Sequence, residues 1–390
     1  MGNITTIKNR KKICFVATVP FALSWFMTPH IRLLCKEYDV TLISSGSPNE
    51  LNELLYNNVS FVTLDIKRKI SLKKDVLALI RLWSIFKENQ FDCVHSITPK
   101  AGLLTMLAGK LAGVPNRFHT FTGQVWMNKK GFKKLILKSL DKVLVHFSTR
   151  VLVDSHSQHL FLIKNNVVSA INSEVLADGS AAGVNINRFK FDLKKRTKIR
   201  CELNIPNSAI VFLFLGRLTY DKGILDLLKA FESIALDNDN LHLLIVGPDE
   251  AGFDVKIMRL EQKLSGKIHR VGFTKSPEYY MSTADIFCLP SYREGFGSVI
   301  IEAAAIGLPA IASRIYGVID AVDDEVTGLL YEVMNSRELS LAMKKLASDY
   351  SLRKSMGAAA KRRVLSKFSE EIVANAMLSF YHDSFTAELE

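Results

Sequence analysis

Nothing in the sequence is long and apolar enough to cross a bilayer. No run reaches the ~20 residues that a spanning helix needs, so any membrane contact is expected to be peripheral. Cysteine is scarce and unpatterned. Cys14, Cys35, Cys93, Cys201 and Cys288 are odd in number, form no CxxC or Cys/His spacing, and four of them lie in apolar stretches. That excludes a disulfide framework and a zinc site, and it predicts buried, reduced thiols in a cytoplasmic protein. Acidic residues are also in deficit: 39 Asp and Glu against 51 Lys and Arg leave a net charge of +12. Such a balance points to a polyanion or to an anionic membrane surface. No nucleic-acid reading module accompanies the charge, so nucleic acid is not an expected partner.

The distribution of charge says more than its total. Lys129, Lys130, Lys133, Lys134, Lys138 and Lys142 interleave with Phe132, Leu135, Ile136 and Leu140 at roughly helical spacing. This reads as a basic amphipathic helix suited to anionic headgroups, or equally as a packed helix with a solvated basic face. A second basic run, Lys67–Lys74, fits either reading. At the N-terminus, Lys8, Arg10, Lys11 and Lys12 before an apolar stretch imitate a signal peptide. No small-residue cleavage site follows, and Thr18, Pro20 and Ser24 break the stretch. Ile13–Thr18 is therefore read as a first strand. Met1-Gly2 with Thr6 matches a short myristoylation pattern.

Apolar residues make up 48% and charged residues 23% of the 390, the balance of a folded chain of two domains. Strand patterns at Lys12–Ala17, Asp39–Ser44, Val59–Leu64, Cys93–Ser96, Arg117–Phe121 and Arg150–Asp154 alternate with helical ones. The helices include Leu51–Asn57, Lys73–Asn89 and Leu103–Ala112. The alternation restarts with strands Ala209–Leu215, Leu241–Val246, Ile268–Val271, Ile286–Leu289 and Ala310–Ser313. The class is α/β, with two Rossmann-like domains of parallel, doubly wound sheet. The expected boundaries are 1–190 and 200–367, with the charged segment Asn185–Arg200 as the connection. Ligands of such sheets bind beyond the carboxyl ends of strands.

The most informative segment follows the strand ending at Leu289. It carries Glu294, Gly295, Phe296 and Gly297, then a helix from about Ser298 that contains Glu302. Backbone amides at that helix start make a seat for phosphate. Carboxylates beside such a seat are unfavourable unless they accept hydrogen bonds from the hydroxyls of a sugar or ribose. The loop after the strand ending at Leu215 supplies the cations, Arg217 and Lys222, within Gly216-Arg217 and Lys222-Gly223. A guanidinium fork plus an ammonium suits a diphosphate leaving group.

These motifs resemble the retaining glycosyltransferases of GT-B fold, family four. The likeness rests on Gly216-Arg217, Lys222-Gly223 and the Glu294/Glu302 pair, and it covers nearly the whole chain. It implies that Arg217 and Lys222 hold the donor diphosphate, Glu294 the sugar hydroxyls and Glu302 the ribose. Backbone from Gly295 and Phe296 to Ser298 and Val299 would bind phosphate, and Phe273 would lie near the base. The stretches Thr98–Gly102, His119–Trp126 and Asp178–Val184 resemble a subgroup that builds capsule or O-antigen repeats on a polyprenyl-diphosphate carrier. The resemblance also implies that the C-terminal helix, 368–390, crosses back onto the first domain and that the two halves close over the donor.

The expected partners are thus a nucleotide-sugar donor, a UDP-sugar by resemblance, a polyprenyl-diphosphate-linked glycan and the inner face of the cytoplasmic membrane. The expected enzyme is a retaining hexosyl- or N-acetylhexosaminyl-transferase. Two departures bear on the acceptor side: Thr122 stands where many relatives have His, and Val19-Pro20-Phe21-Ala22 replaces a Gly-Gly loop. Candidate acceptor-side residues are Thr122, Gly123 and His119, the last being alternatively structural. Asp237-Asn238-Asp239 spells a DxD, but it precedes a strand on the far side of the sheet, so no metal or other cofactor is expected. Competing readings are a GT-B nucleotide-sugar epimerase, a phosphorylase-like enzyme or a non-catalytic nucleotide-sugar-binding membrane adaptor.

Overall fold

The computed structural model describes residues 10–51, 55, 58–67, 71–236 and 238–386. Most of the helix expected over Leu51–Asn57, the Met1-Gly2 pattern, Asp237 and the middle of the Lys67–Lys74 run lie outside the described residues. The chain divides into two compact units. One comprises Met1–Asp154, His159–Ala177 and Glu371–Glu390; the other comprises Ser155–Gln158 and Asp178–Glu370.

The first unit runs β1 (Lys12–Val16), α1 (Pro20–Phe26), α2 (Thr28–Leu34), β2 (Asp39–Ser44), β3 (Ser60–Thr63) and α3 (Leu72–Asn89). It continues with β4 (Cys93–Ser96), α4 (Pro99–Ala112), β5 (Asn116–Phe121), α5 (Gly131–Phe147), β6 (Arg150–Val153), α6 (His156–Lys164) and β7 (Ser173–Glu174). Its sheet has the order β3-β2-β1-β4-β5-β6-β7, with every pair parallel. Parallel strands covered on both faces need apolar residues at successive positions. In β1 these alternate between two cores: Ile13 and Phe15 pack on one face, Cys14 and Val16 on the other. Pro99 opens α4 and Gly113, left-handed at φ 78°, closes it, so both ends of this helix are written in the sequence.

The second unit runs α7 (Leu193–Glu202), β8 (Ile210–Leu215), α8 (Ile224–Ala235), β9 (Leu241–Val246), α9 (Asp254–Lys263), β10 (Ile268–Val271) and α10 (Pro277–Thr283). Then follow β11 (Ile286–Leu289), α11 (Ser298–Ile306), β12 (Ala310–Ser313), α12 (Val318–Ala321), β13 (Gly328–Tyr331), α13 (Ser336–Ser348) and α14 (Tyr350–Lys367). The last helix, α15 (Glu370–Thr386), falls almost entirely in the first unit. The second sheet, β10-β9-β8-β11-β12-β13, is also parallel throughout. Its order reverses between β8 and β11, which makes the carboxyl ends of those two strands the topological switch point.

The segment expected as a connection, Asn185–Arg200, is instead woven into the second unit. Asp192 caps α7 by accepting from the Lys195 amide at 3.0 Å. Arg200 is fully buried and donates to the carbonyls of Thr283, Pro206 and Ala209 and to the Asp285 carboxylate at 2.8 Å. A buried guanidinium bonded through all three of its nitrogens leaves no amphipathic period, so the helix reads in sequence as a linker. Of the thiols, Cys14, Cys93 and Cys288 are buried, Cys35 is half-buried and Cys201 is exposed, and none of the five forms a disulfide. Exposed Cys201 departs from the buried thiols expected. Among the described residues no helix is long and apolar enough to cross a membrane.

Candidate active site

Two glycines bring the loops at the switch point together. A Cβ on Gly223 would lie 1.9 Å from the Pro290 carbonyl oxygen, and one on Gly247 would lie 2.0 Å from that of Gly216. Both glycines also have positive φ, 66° and 139°. The loops after β8, β9 and β11 therefore touch backbone to backbone. Hydrogen bonds lace them: the Leu218 amide donates to Pro248 O at 2.8 Å, Glu250 N to Leu218 O at 3.1 Å, and Tyr292 N to Asp221 O at 2.8 Å.

On this platform the two expected cations are already paired with carboxylates. Lys222 Nζ lies 2.5 Å from Glu294 Oε1, with both side chains largely buried. Arg217 lies 2.8 Å from Glu250 in a more open position. Arg293 reaches Asp221 at 3.3 Å. Tyr292 donates its hydroxyl proton to Asp226 at 2.7 Å, and burial with this carboxylate pushes its pKa up. Beside these groups α11 begins at Ser298. Its N-cap is Gly297, left-handed and without a side-chain acceptor, so no side chain caps the first-turn amides. The Phe296 side chain is buried against Phe368 at 5.2 Å, which leaves its backbone as the part available to a ligand.

Glu302 lies on the buried face of α11, and desolvation pushes its pKa up to about 8. Two charged neighbours modify this: Arg188 draws the value down and Glu278 raises it. Arg188 in turn donates to Glu278 at 3.1 Å and to Lys275 O at 2.7 Å. Neither Arg188 nor Glu278 was flagged by sequence. Arg188 sits in the segment read as a linker, and Glu278 in a helix without a motif. Phe273 follows β10 and is 65% exposed, with open space where a Cβ on Gly272 would point. Gly216, Arg217, Lys222, Phe273, Glu294–Val299 and Glu302 thus all follow or flank carboxyl ends of strands in one unit.

The acceptor-side candidates belong to the first unit. His119 is inside β5 and buried, its Nδ1 at 2.8 Å from Ser96 Oγ and its ring edge-on to Phe121. A Cβ on Gly102 would lie 2.5 Å from His119 Cε1, so α4 presses directly on the ring. Burial drives the pKa of His119 down to about 3, which keeps it neutral. Half-buried Thr122 and left-handed Gly123 lie just past the end of β5. Asp154, just past the end of β6, was not anticipated. It is buried with Oδ1 unpartnered among the described residues, and desolvation raises its pKa to about 8. The DxD expectation rests on Asp237, outside the described residues, and on Asp239, which pairs with Lys267 at 2.7 Å ahead of β9.

A helix N-terminus, two cations and their partner carboxylates thus gather at the switch point of a doubly wound sheet, where such sheets bind their ligands. Comparison with known proteins narrows this. The family model for glycosyl transferases group 1 matches residues 195–363, and that for glycosyl transferase 4-like proteins matches residues 12–155. The chain belongs to this glycosyltransferase family, GT-B family four. A capsular polysaccharide biosynthesis glycosyltransferase, CapM, of Staphylococcus aureus is 30% identical over 98% of this chain and 100% of its own length. A UDP-Gal:alpha-D-GlcNAc-diphosphoundecaprenol alpha-1,3-galactosyltransferase of Escherichia coli is 29% identical over 80% of this chain and 81% of its own. Among solved structures, a sucrose-phosphate synthase from Thermosynechococcus elongatus aligns with TM-score 0.80 at 22% identity, covering 97% of this chain and 100% of that one.

Proposed function

We propose that this glycosyltransferase moves a sugar from a UDP-sugar, with retention of anomeric configuration, onto a glycan carried on a polyprenyl diphosphate in capsule or O-antigen assembly. The observation that carries the donor half is the pairing of Lys222 with Glu294 beside the uncapped start of α11. Loss of a nucleoside diphosphate develops negative charge on the leaving oxygen. Lys222 and Arg217, fixed in advance by Glu294 and Glu250, meet that charge without reorganising. Glu294 accepts from sugar hydroxyls while holding Lys222, and Glu302 accepts from the ribose.

In the transfer step the acceptor hydroxyl oxygen bonds to the anomeric carbon as the bond from that carbon to the phosphate oxygen breaks. The hydroxyl proton passes to the departing diphosphate. No nucleophilic side chain is required, and retention follows when attack and departure share one face of the sugar. The acceptor half rests on the relatives. One at 29% identity is named for a UDP-sugar and a diphosphoundecaprenol-linked glycan, and one at 30% for capsule biosynthesis. Such an acceptor places the enzyme at the inner face of the cytoplasmic membrane, where the lysines of α5 meet anionic headgroups.

A thermal-shift screen against UDP, GDP and ADP tests the donor, because a ligand bound only by the folded state raises the melting temperature. A shift selective for UDP and lost in Arg217→Ala is expected. A shift with GDP alone would overturn the UDP assignment, and no shift with any diphosphate would overturn the site.

A further inference from the structure

A lysine is hard to hold in one place. Its ammonium is a point charge on a flexible stem, so the contact of Lys222 with Glu294 fixes a distance but not the direction from which the charge is offered. The turn that carries it gives little help. Tyr220–Lys222 is a single short 3-10 turn without a side-chain cap, and it ends in left-handed Gly223. The placement of Lys222 therefore depends on what grips this turn from outside.

One residue of the loop after β11 grips it at three points. The Tyr292 amide donates to Asp221 O at 2.8 Å, directly before Lys222. The Tyr292 ring lies against Gly223, directly after it, where an added Cβ would come 3.2 Å from Cε1. Its hydroxyl donates to the carboxylate of Asp226 at 2.7 Å, in the first turn of α8. Positions 221, 223 and 226 bracket Lys222, and Tyr292 stands two residues before Glu294, which holds the ammonium itself. Backbone and charge are thus located from the same short stretch of chain. The ring and the amide would pack equally well in a phenylalanine, so the hydroxyl is the part that packing does not explain. Its bond is of the strong kind, to an ionised acceptor, and the carboxylate sits where the start of α8 favours negative charge.

We infer that Tyr292 is a positioning residue: through Asp226 it fixes the start of α8, and so sets where Lys222 presents its charge to the distal phosphate of the donor, the one whose oxygen leaves the sugar. This rests on the donor-site reading of Lys222. A cation placed in advance stabilises the leaving group without reorganising, and misplacement by about 1 Å is costly.

The test compares UDP with UMP, which lacks the distal phosphate, by titration calorimetry of the full-length protein. Tyr292→Phe keeps the ring and the amide bond and removes only the hydroxyl. It should weaken UDP about tenfold and leave UMP unchanged. In a Lys222→Ala background the same substitution should cost UDP little more, because a residue that acts through Lys222 then has nothing to place. Asp226→Ala removes the other end of the bond, and it should reproduce the loss without adding to it in the double variant. Equal losses for UDP and UMP would reveal a merely structural contribution and overturn the inference. Losses that add in either pair, or UDP affinity unchanged in Tyr292→Phe, would overturn it as well. Absence of UDP binding by the unaltered protein would overturn the donor site itself, and that failure is seen before any variant is compared.

Discussion

A carboxyl group buried on a helix is costly to ionise, and Glu302 illustrates the consequence. Its pKa rises from 4.5 to about 8, so the folded protein holds this proton to higher pH than the unfolded chain does. Stability from this group is therefore lost as pH climbs from about 4.5 to about 8. Glu302→Gln keeps the shape and removes the titration. The variant should melt higher than the unaltered protein at pH 8, by about 1–3 kcal/mol, with the gap closing below pH 4.5. Melting curves across that range check the sign, and the variant's UDP shift should persist, because the glutamine amide oxygen still accepts from the ribose. At Glu294 the expectation is kinetic: Glu294→Gln should cut kcat about 10²–10³-fold while the melting curve changes little. Unchanged turnover would remove Glu294 from the site. Both glutamates were legible from their spacing around the glycine loop. Arg188 and Glu278, which set the field at Glu302, were not, because each is 24 residues or more away in sequence and neither belongs to a motif.

At the scale of elements, the site depends on loops that touch. Gly223→Ala would drive a methyl into the Pro290 carbonyl in a backbone conformation that alanine resists. The two loops must separate, and about 2–4 kcal/mol of stability with most of the UDP shift should go with them. Denaturant unfolding and the ligand screen read these two losses separately. Strand edges were legible because parallel strands buried on both faces announce themselves as apolar runs. Asp39–Ser44, Cys93–Ser96, Leu241–Val246, Ile268–Val271, Ile286–Leu289 and Ala310–Ser313 lie where the sequence puts them. Two edge strands escaped. Ser173–Glu174 is two residues long, too short for a period, and Gly328–Tyr331 opens on a glycine directly after a polar turn. Helix α7 escaped for the opposite reason: it is held by Arg200 bonding to carbonyls outside the helix, not by an apolar stripe.

At the scale of the whole molecule, the chemistry proposed needs no divalent cation, since the leaving diphosphate is met by Arg217, Lys222 and the amides of α11. Turnover should persist in excess EDTA, measured as UDP release, and complete loss would show that a metal carries part of that charge. The sequence by itself determined the α/β class, the two runs of βα alternation, the strand-end position of the motifs and the family. Each of these is coded by residues near one another in the chain: periodicity, glycine at turns, and charged side chains a loop's length apart. Only the tertiary structure decided that Lys222 is held by Glu294 and Arg217 by Glu250, and that His119 is enclosed and neutral. It also decided that α3 as well as α5 turns an apolar row to solvent. Burial and electrostatic field are sums over groups far apart in sequence, and no local pattern records those sums.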